Sequence, residues 1–140
     1  MEKQLRLPIQ FLRDNNKDFA SLKIFFSESA VEDLCLGLVL LKENLVLNLI
    51  IKDEEDKFTL TIESLPEKHH AKLVWHDPGA NLSLAANEIE YCCMFFLRIF
   101  RDGKSEINHV DIEYTSINSS EIGYVTFVAP SSLFRPAQWT

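Results

Sequence analysis

Apolar and polar residues alternate with a period of two along most of this chain, and this pattern limits the possible folds more than any other feature. In "KFTLTIES", Phe58, Leu60 and Ile62 share one side, with polar residues on the other. Successive side chains of a strand point to opposite faces of a sheet, so such segments predict strands with one buried and one solvated face. The pattern occurs in segments 5–12, 21–28, 45–52, 57–64, 70–77, 109–116 and 122–129.

Turn residues between these segments predict two hairpins. "RDNNKD" (13–18) separates the first two segments, and the acidic "DEED" (53–56) separates the third and fourth. Pro8 lies on the polar side of the first segment, where the missing backbone donor is best tolerated at a sheet edge. The sequence therefore predicts an edge strand at the start of the chain.

One segment has a helical period. Between residues 82 and 102, apolar residues recur about every 3.6 positions, Asn81 or Ser83 can cap the start, and Gly103 can end the helix. The residues on this apolar stripe are Leu82, Ile89, Cys92, Phe96 and Ile99. This pattern predicts one long amphipathic helix.

Segment 29–43 fits two structures. Ser29 and Glu32 have the spacing of a capping box at a helix start. The alternating leucines of segment 34–40 indicate a strand, and Gly37 weakens a helix. We expect a helical turn at 29–34 followed by a strand, with a helix over 34–43 as the alternative.

These elements predict an α+β fold formed by residues 1–140 as a single domain. The expected architecture is an antiparallel or mixed sheet of about seven strands, with the long helix packed on one face and the other face solvated.

Charge and cysteine content restrict the functional class. Fourteen basic and 21 acidic residues give a formal charge of -7, which repels nucleic acid and favours basic protein partners, although such a charge also aids solubility. Three cysteines give no disulfide framework. The apolar runs are too short for a membrane span, and the first residues lack a secretory apolar core. We therefore expect a cytoplasmic protein that binds neither nucleic acid nor membrane.

No motif for a metal, a cofactor or catalysis is evident. On a strand rising about 3.3 Å per residue, His70 and His76 would lie about 20 Å apart, and His69 would point away from His70, so the three cannot share a zinc ion. The acidic loop 52–58 lacks the ligand alternation of a calcium loop, and no nucleophile elbow or phosphate loop occurs. We therefore expect neither a metal ion nor a cofactor.

The remaining candidates are exposed charged residues. In "HVDIEYTS", His109, Asp111 and Glu113 share the polar side of a strand. They suit a partner-binding surface, and as an alternative His109 beside a carboxylate suits a general base. The second candidate set is the hairpin tip Asp53, Glu54, Glu55 and Asp56. Trp139 is a further candidate anchor for a partner.

A small, acidic α+β chain without catalytic motifs resembles the immunity proteins that protect bacteria from polymorphic or contact-dependent growth-inhibition toxins. The resemblance implies a protein that is not an enzyme and that inhibits a cognate, basic, nuclease-type toxin by stoichiometric occlusion. Two alternatives stay open: a chaperone of the type III secretion effector class, and a small enzyme that uses the His109, Asp111 and Glu113 face. The sequence leaves self-association undetermined.

Overall fold

Residues 1–15, 20–65, 71–115 and 122–134 are described by the computed structural model. Within these ranges the chain forms nine strands and two α-helices. The strands are β1 (Glu2–Leu7), β2 (Ile9–Asn15), β3 (Ala20–Phe26), β4 (Asn48–Asp53), β5 (Thr59–Ser64), β6 (Lys72–His76), β7 (Gly79–Leu84), β8 (His109–Thr115) and β9 (Ile122–Val128), and the helices are α1 (Val31–Lys42) and α2 (Ala86–Asp102). Neither helix in these ranges is both long and apolar enough to cross a membrane.

The strands form a mixed sheet in the order β1-β4-β5-β7-β6-β8-β9-β3-β2. Its narrowest junction is between β6 and β8, which pair only at Lys72 and Thr115. We therefore describe two half-sheets. The first contains β1, β4, β5, β7 and β6, and the second contains β8, β9, β3 and β2.

Pro8 connects the two half-sheets at their other ends. It separates β1 from β2, which are the two outermost strands of the sheet. Leu7 pairs with Asp53 in the first half-sheet, whereas Ile9 pairs with Phe26 in the second. The chain thus changes neighbours at a residue that has no backbone donor, and the sheet curves until its outermost strands meet.

The inner face of this curved sheet carries the core. Leu22, Ile24, Leu60 and Ile62 are fully buried there. Helix α2 covers the second half-sheet, where the ring of Phe96 lies 4.9 Å from that of Phe26 and 5.2 Å from that of Phe127. Helix α1 packs beside α2 and against β4 and β5.

An aromatic cluster connects the two half-sheets directly. The rings of Phe11 on β2 and Phe58, just before β5, have centroids 4.7 Å apart. The guanidinium of Arg13 lies 4.1 Å from the centre of the Trp75 ring, and the Trp75 side chain hydrogen-bonds Tyr114. Side chains of β2, β6 and β8, together with Phe58, therefore form a chain of contacts across the inner face.

The α+β class, the mixed sheet and both hairpins are confirmed, since β2 pairs with β3 and β4 with β5 in antiparallel fashion. The predicted count of about seven strands was too low, because segment 5–12 contains parts of two strands and residues 79–84 form β7. Leu82 therefore belongs to a strand, and α2 starts at Ala86. Its first turn is capped by Glu88, which accepts a bond from the Ala85 amide, whereas Gly103 ends it with a φ of 73° as expected.

The strand expected after residue 34 was wrong: residues 31–42 form α1, so two helices cover the sheet rather than one. The leucine alternation misled because α1 is apolar on most of its circumference. Leu34 and Leu38 are buried, Leu40 is partly buried, and only Leu36 is exposed among the four. The capping box was also wrong, since Ser29 lies inside the 3-10 turn Glu28–Ala30. Leu45 and Leu47, expected in a strand, precede β4 and are exposed.

Gly37 has a packing role in α1. A Cβ atom added there would lie 2.7 Å from Leu49 Cδ1 and 3.3 Å from Leu5 Cδ1. The missing side chain therefore allows the helix to approach β1 and β4 closely, which outweighs the lower helix propensity of glycine.

We expect Gly37→Leu to destabilise the fold by roughly 1–3 kcal/mol, because the added side chain overpacks the contact with Leu49. Leu36→Ala, on the exposed side of the same helix, should change stability by less than about 0.5 kcal/mol. Chemical denaturation of both variants gives the two values. If Gly37→Leu instead stabilised the protein by about 1 kcal/mol, as helix propensity alone dictates, this side of α1 would not be buried.

Candidate functional site

The outer face of the second half-sheet brings acidic and aromatic side chains together. Strand pairing places Glu113 opposite Tyr124. In the next row, Asp111, Thr126, Lys23 and Leu12 follow one another across four strands. Tyr124, Phe25 and Leu12 are exposed by 40%, 37% and 51%, which is unusual for apolar side chains on a sheet face. We refer to the exposed side of β8, β9, β3 and β2 as the outer face.

His109 and Asp111 form a pair at one border of this face. His109 Nε2 lies 3.3 Å from Asp111 Oδ2, and the two side chains are 48% and 46% exposed. Thr126 Oγ1 donates a hydrogen bond of 2.6 Å to Asp111 Oδ1. The hydroxyl is thus directed at the carboxylate and not at the imidazole, so the arrangement is not that of a hydroxyl nucleophile hydrogen-bonded to a histidine base.

The acidic hairpin tip contains residues with different roles. Asp53 Oδ1 accepts hydrogen bonds from the amides of Lys57 and Phe58 at 2.8 and 3.1 Å, and therefore holds the turn. One terminal nitrogen of Arg6 on β1 donates to both carboxylate oxygens of Asp56, at 2.7 and 2.9 Å. Glu55 pairs with Lys57 at 2.6 Å, while Glu54 is exposed and has no hydrogen bond or ion pair with another described residue. Glu54 and Glu55 are therefore the tip carboxylates most available to a partner.

A groove joins the hairpin tip to the outer face. It has a volume of about 750 Å³ and lies between the tip and strand β2. Its apolar residues are Pro8, Ile9, Phe11, Leu12, Phe25, Phe26, Phe58 and Pro130, and its charged residues are Asp53, Glu54, Glu55 and Lys57. Leu12 and Phe25 belong to both the groove and the outer face, so the two form one continuous surface.

Asp111 and Glu113 also border a second cleft. Its volume is about 620 Å³, and α2 contributes Asn87, Glu88 and Tyr91 to its lining. The cleft lies beside β8, on the side where that strand has only one paired residue with β6. One carboxylate oxygen of Glu88, Oε1, accepts a hydrogen bond from the Ala85 amide, which leaves Oε2 for the cleft.

The acidic hairpin tip and the β8 row of His109, Asp111 and Glu113 therefore lie on one continuous surface. Strands β2, β3 and β9 separate them, and the sequence did not indicate that these strands belong to that surface. Tyr124, Phe25 and Leu12 were missed. The alternation of "IGYVTFVA" could have shown that Tyr124 points outward, because Val125 and Phe127 point inward. The placement of Phe25 and Leu12 on the same face as Tyr124 could not be derived in this way, since it depends on the parallel pairing of β3 with β9.

Some sequence expectations lie outside the described residues, namely those on His69, His70 and Trp139. His76 is exposed and lies 3.2 Å from the amide oxygen of Asn81. In the described part of the chain, no group of three or more His, Cys, Asp or Glu residues is placed to hold a metal ion.

The cysteines lie in the core. Cys35, Cys92 and Cys93 are free and buried. Burial raises the pKa of Cys92 far above its usual value, and burial together with nearby Cys35 raises the pKa of Cys93 to about 11. A raised pKa keeps a thiol protonated at neutral pH, so these residues are poor nucleophiles in the folded chain.

Comparison with known proteins finds no matching family model and no curated protein of significant similarity. What this surface can bind therefore follows from its own residues.

We expect Asp53→Ala to destabilise the protein by about 1–3 kcal/mol, because the amides of Lys57 and Phe58 lose their acceptor. Glu54→Ala, at the neighbouring position, should change stability by less than about 0.5 kcal/mol. Thermal or urea denaturation compares the two variants. Equal effects would contradict the assignment of Asp53 as the residue that holds the turn.

We also expect the three thiols to react with a small disulfide reagent only when the chain opens. With a pKa of about 11, Cys93 carries roughly one thiolate per ten thousand molecules at pH 7. Labelling should be much slower in buffer than in denaturant, where all three cysteines react. Rapid labelling of the folded protein at pH 7 would show that a thiol is more accessible than its burial indicates.

Proposed function

We propose that this chain is a protein-binding inhibitor of the immunity type, which neutralises a basic bacterial toxin in the cytoplasm by occluding it, and that it is not an enzyme. The observation that carries the proposal is the groove beside β2, where an apolar lining that includes Phe11, Leu12 and Phe25 meets a border of three carboxylates and Lys57. An apolar centre with charged residues at its border is the arrangement of specific protein interfaces.

The apolar and charged parts have separate effects on binding. Exposed carboxylates accelerate the encounter with a basic protein, and their effect weakens as salt is added. Side chains desolvated at the centre of an interface mainly set the dissociation rate. Leu12 and Phe25 are the candidates for that centre, and Glu54, Glu55, Asp111 and Glu113 are the candidates for steering.

Strand β2 offers a further mode of contact. In the described chain it pairs only with β3, and it is the last strand of the sheet. An extended segment of the toxin could add to this edge through backbone hydrogen bonds, which is a common mode of peptide recognition. The acidic rim of the groove lies directly beside that edge and favours a segment that contains lysine or arginine.

The test uses the toxin encoded by the neighbouring gene, purified and immobilised for binding kinetics. We expect Leu12→Ala combined with Phe25→Ala to accelerate dissociation at least about tenfold, since central interface residues contribute more than about 1 kcal/mol each. Val74→Ala is the matched control, because Val74 is 41% exposed on the other half-sheet. Unchanged dissociation in the double variant would exclude the groove.

The charged residues are tested separately. Asp111→Asn with Glu113→Gln, and Glu54→Gln with Glu55→Gln, should each slow association and reduce its salt dependence, with little change in melting temperature. Coexpression with the toxin gives the functional readout, since an inhibitor restores growth. Failure of the wild-type chain to bind or to protect would reject the immunity function, and loss of a measurable turnover in His109→Ala would favour an enzyme.

A further inference from the structure

Helix α2 has a second, exposed face that the fold does not use. Its buried side contains Ile89, Cys92, Phe96 and Ile99. On the opposite side, five exposed residues recur at spacings of three and four, namely Asn87, Glu90, Met94, Leu97 and Arg101. We call these five residues the α2 seam. This spacing is that of the contact positions of a coiled coil.

The centre of the α2 seam is apolar and its ends are charged. Met94 and Leu97 are 41% and 43% exposed, and Tyr91 and Phe100 beside them are 53% and 56% exposed. Single exposed apolar residues are common, but Met94 and Leu97 lie next to each other on the helix surface, with Tyr91 and Phe100 flanking them on opposite sides. Adjacent exposed apolar residues of this kind are typical of interfaces. Glu90 precedes the apolar centre, and Arg101 follows it.

We propose that the α2 seam binds a second copy of this chain in an antiparallel, two-fold symmetric contact. The point midway between residues 94 and 97 along the helix is also the point midway between residues 90 and 101. A two-fold axis at that point places each Met94 against Leu97 of the second copy and each Glu90 against Arg101 of the second copy. The self-complementarity that a two-fold dimer requires is therefore present in the sequence of one helix.

Charge decides the direction of the helices. A parallel arrangement would place Glu90 against Glu90 and Arg101 against Arg101 of the second copy, and like charges in contact are unfavourable. The antiparallel arrangement pairs opposite charges twice. It also places Arg98 near Tyr91 of the second copy, where a guanidinium and an aromatic ring attract each other.

Arg101 is able to make this contact without losing its existing one. Its Nε and one terminal nitrogen bond the carboxylate of Asp102 at 2.8 and 3.0 Å, and its side chain is 70% exposed. The other terminal nitrogen is left for Glu90 of the second copy, since a guanidinium has five donors.

The dimer contact shares no residue with the groove beside β2, although Asn87 and Tyr91 also line the cleft beside Asp111 and Glu113. Phe96 packs against the inner side of the second half-sheet, so Met94 and Leu97 at the centre of the α2 seam lie on the far side of the helix from that sheet. A dimer through α2 leaves Leu12 and Phe25 of both copies exposed. The proposal is therefore independent of the proposed inhibitory function and can fail while that function holds.

Sedimentation equilibrium over a concentration series tests the contact on the full chain. We expect a reversible dimer of twice the chain mass of 16.1 kDa. Met94→Glu should weaken it at least about tenfold, because two carboxylates enter the centre of the interface. Val74→Glu, with the same 41% exposure on β6, should leave it unchanged. A monomer at every concentration, or equal effects of both variants, would overturn the proposal.

Charge reversal tests the antiparallel register. Glu90→Arg and Arg101→Glu should each weaken the dimer about tenfold, a change of about 1.4 kcal/mol, because each replaces two attractive pairs by two repulsive ones. The double variant should return to within about threefold of the wild type, since both pairs are restored with inverted sign. Circular dichroism confirms that α2 is intact in each variant. A double variant as weak as the sum of the single ones would overturn the register.

Discussion

The position of Pro8 determines much of this structure. It is the only residue between β1 and β2, and these are the two outermost strands of the sheet. Since consecutive Cα atoms are 3.8 Å apart, Leu7 and Ile9 cannot be more than about 7 Å from each other. The sheet must therefore curve until its two ends meet. That curvature places the β4–β5 tip beside β2 and creates the groove between them.

The aromatic cluster stabilises this curvature from inside. Phe11 and Phe58 come from the two half-sheets, and an aromatic pair contributes about 0.5–1.5 kcal/mol beyond its buried area. Arg13 on the Trp75 ring adds a second contact across the same space. Both Phe11 and Phe58 also line the groove. The contacts that hold the half-sheets together thus supply part of the apolar floor offered to a partner.

Sequence reasoning was reliable where a property is local. Alternation in "KFTLTIES" gave β5 and its buried side, and Gly103 marked the end of α2. It failed where the structure of a segment depends on contacts with residues far away in the sequence. Gly37 indicated a weak helix because the sequence does not show Leu49 and Leu5 packed against it. Likewise, the acidic tip and the β8 row were both selected as candidates, but their connection through Leu12 and Phe25 depends on strand order, which no local pattern encodes.

The uneven distribution of charge suits the two proposed contacts to different partners: a basic protein at the acidic outer face and a second copy of the chain at α2. The tip and β8 are acidic, whereas the last turns of α2 contain Arg98 and Arg101, and Lys104 follows the helix. A basic end of α2 facing the acidic outer face of another copy would form a head-to-tail contact, and such contacts extend without closing. In the antiparallel contact through α2, Arg101 faces Glu90 instead, and the assembly closes at two copies. Pairing the basic end within the dimer therefore keeps the acidic face free for a basic partner.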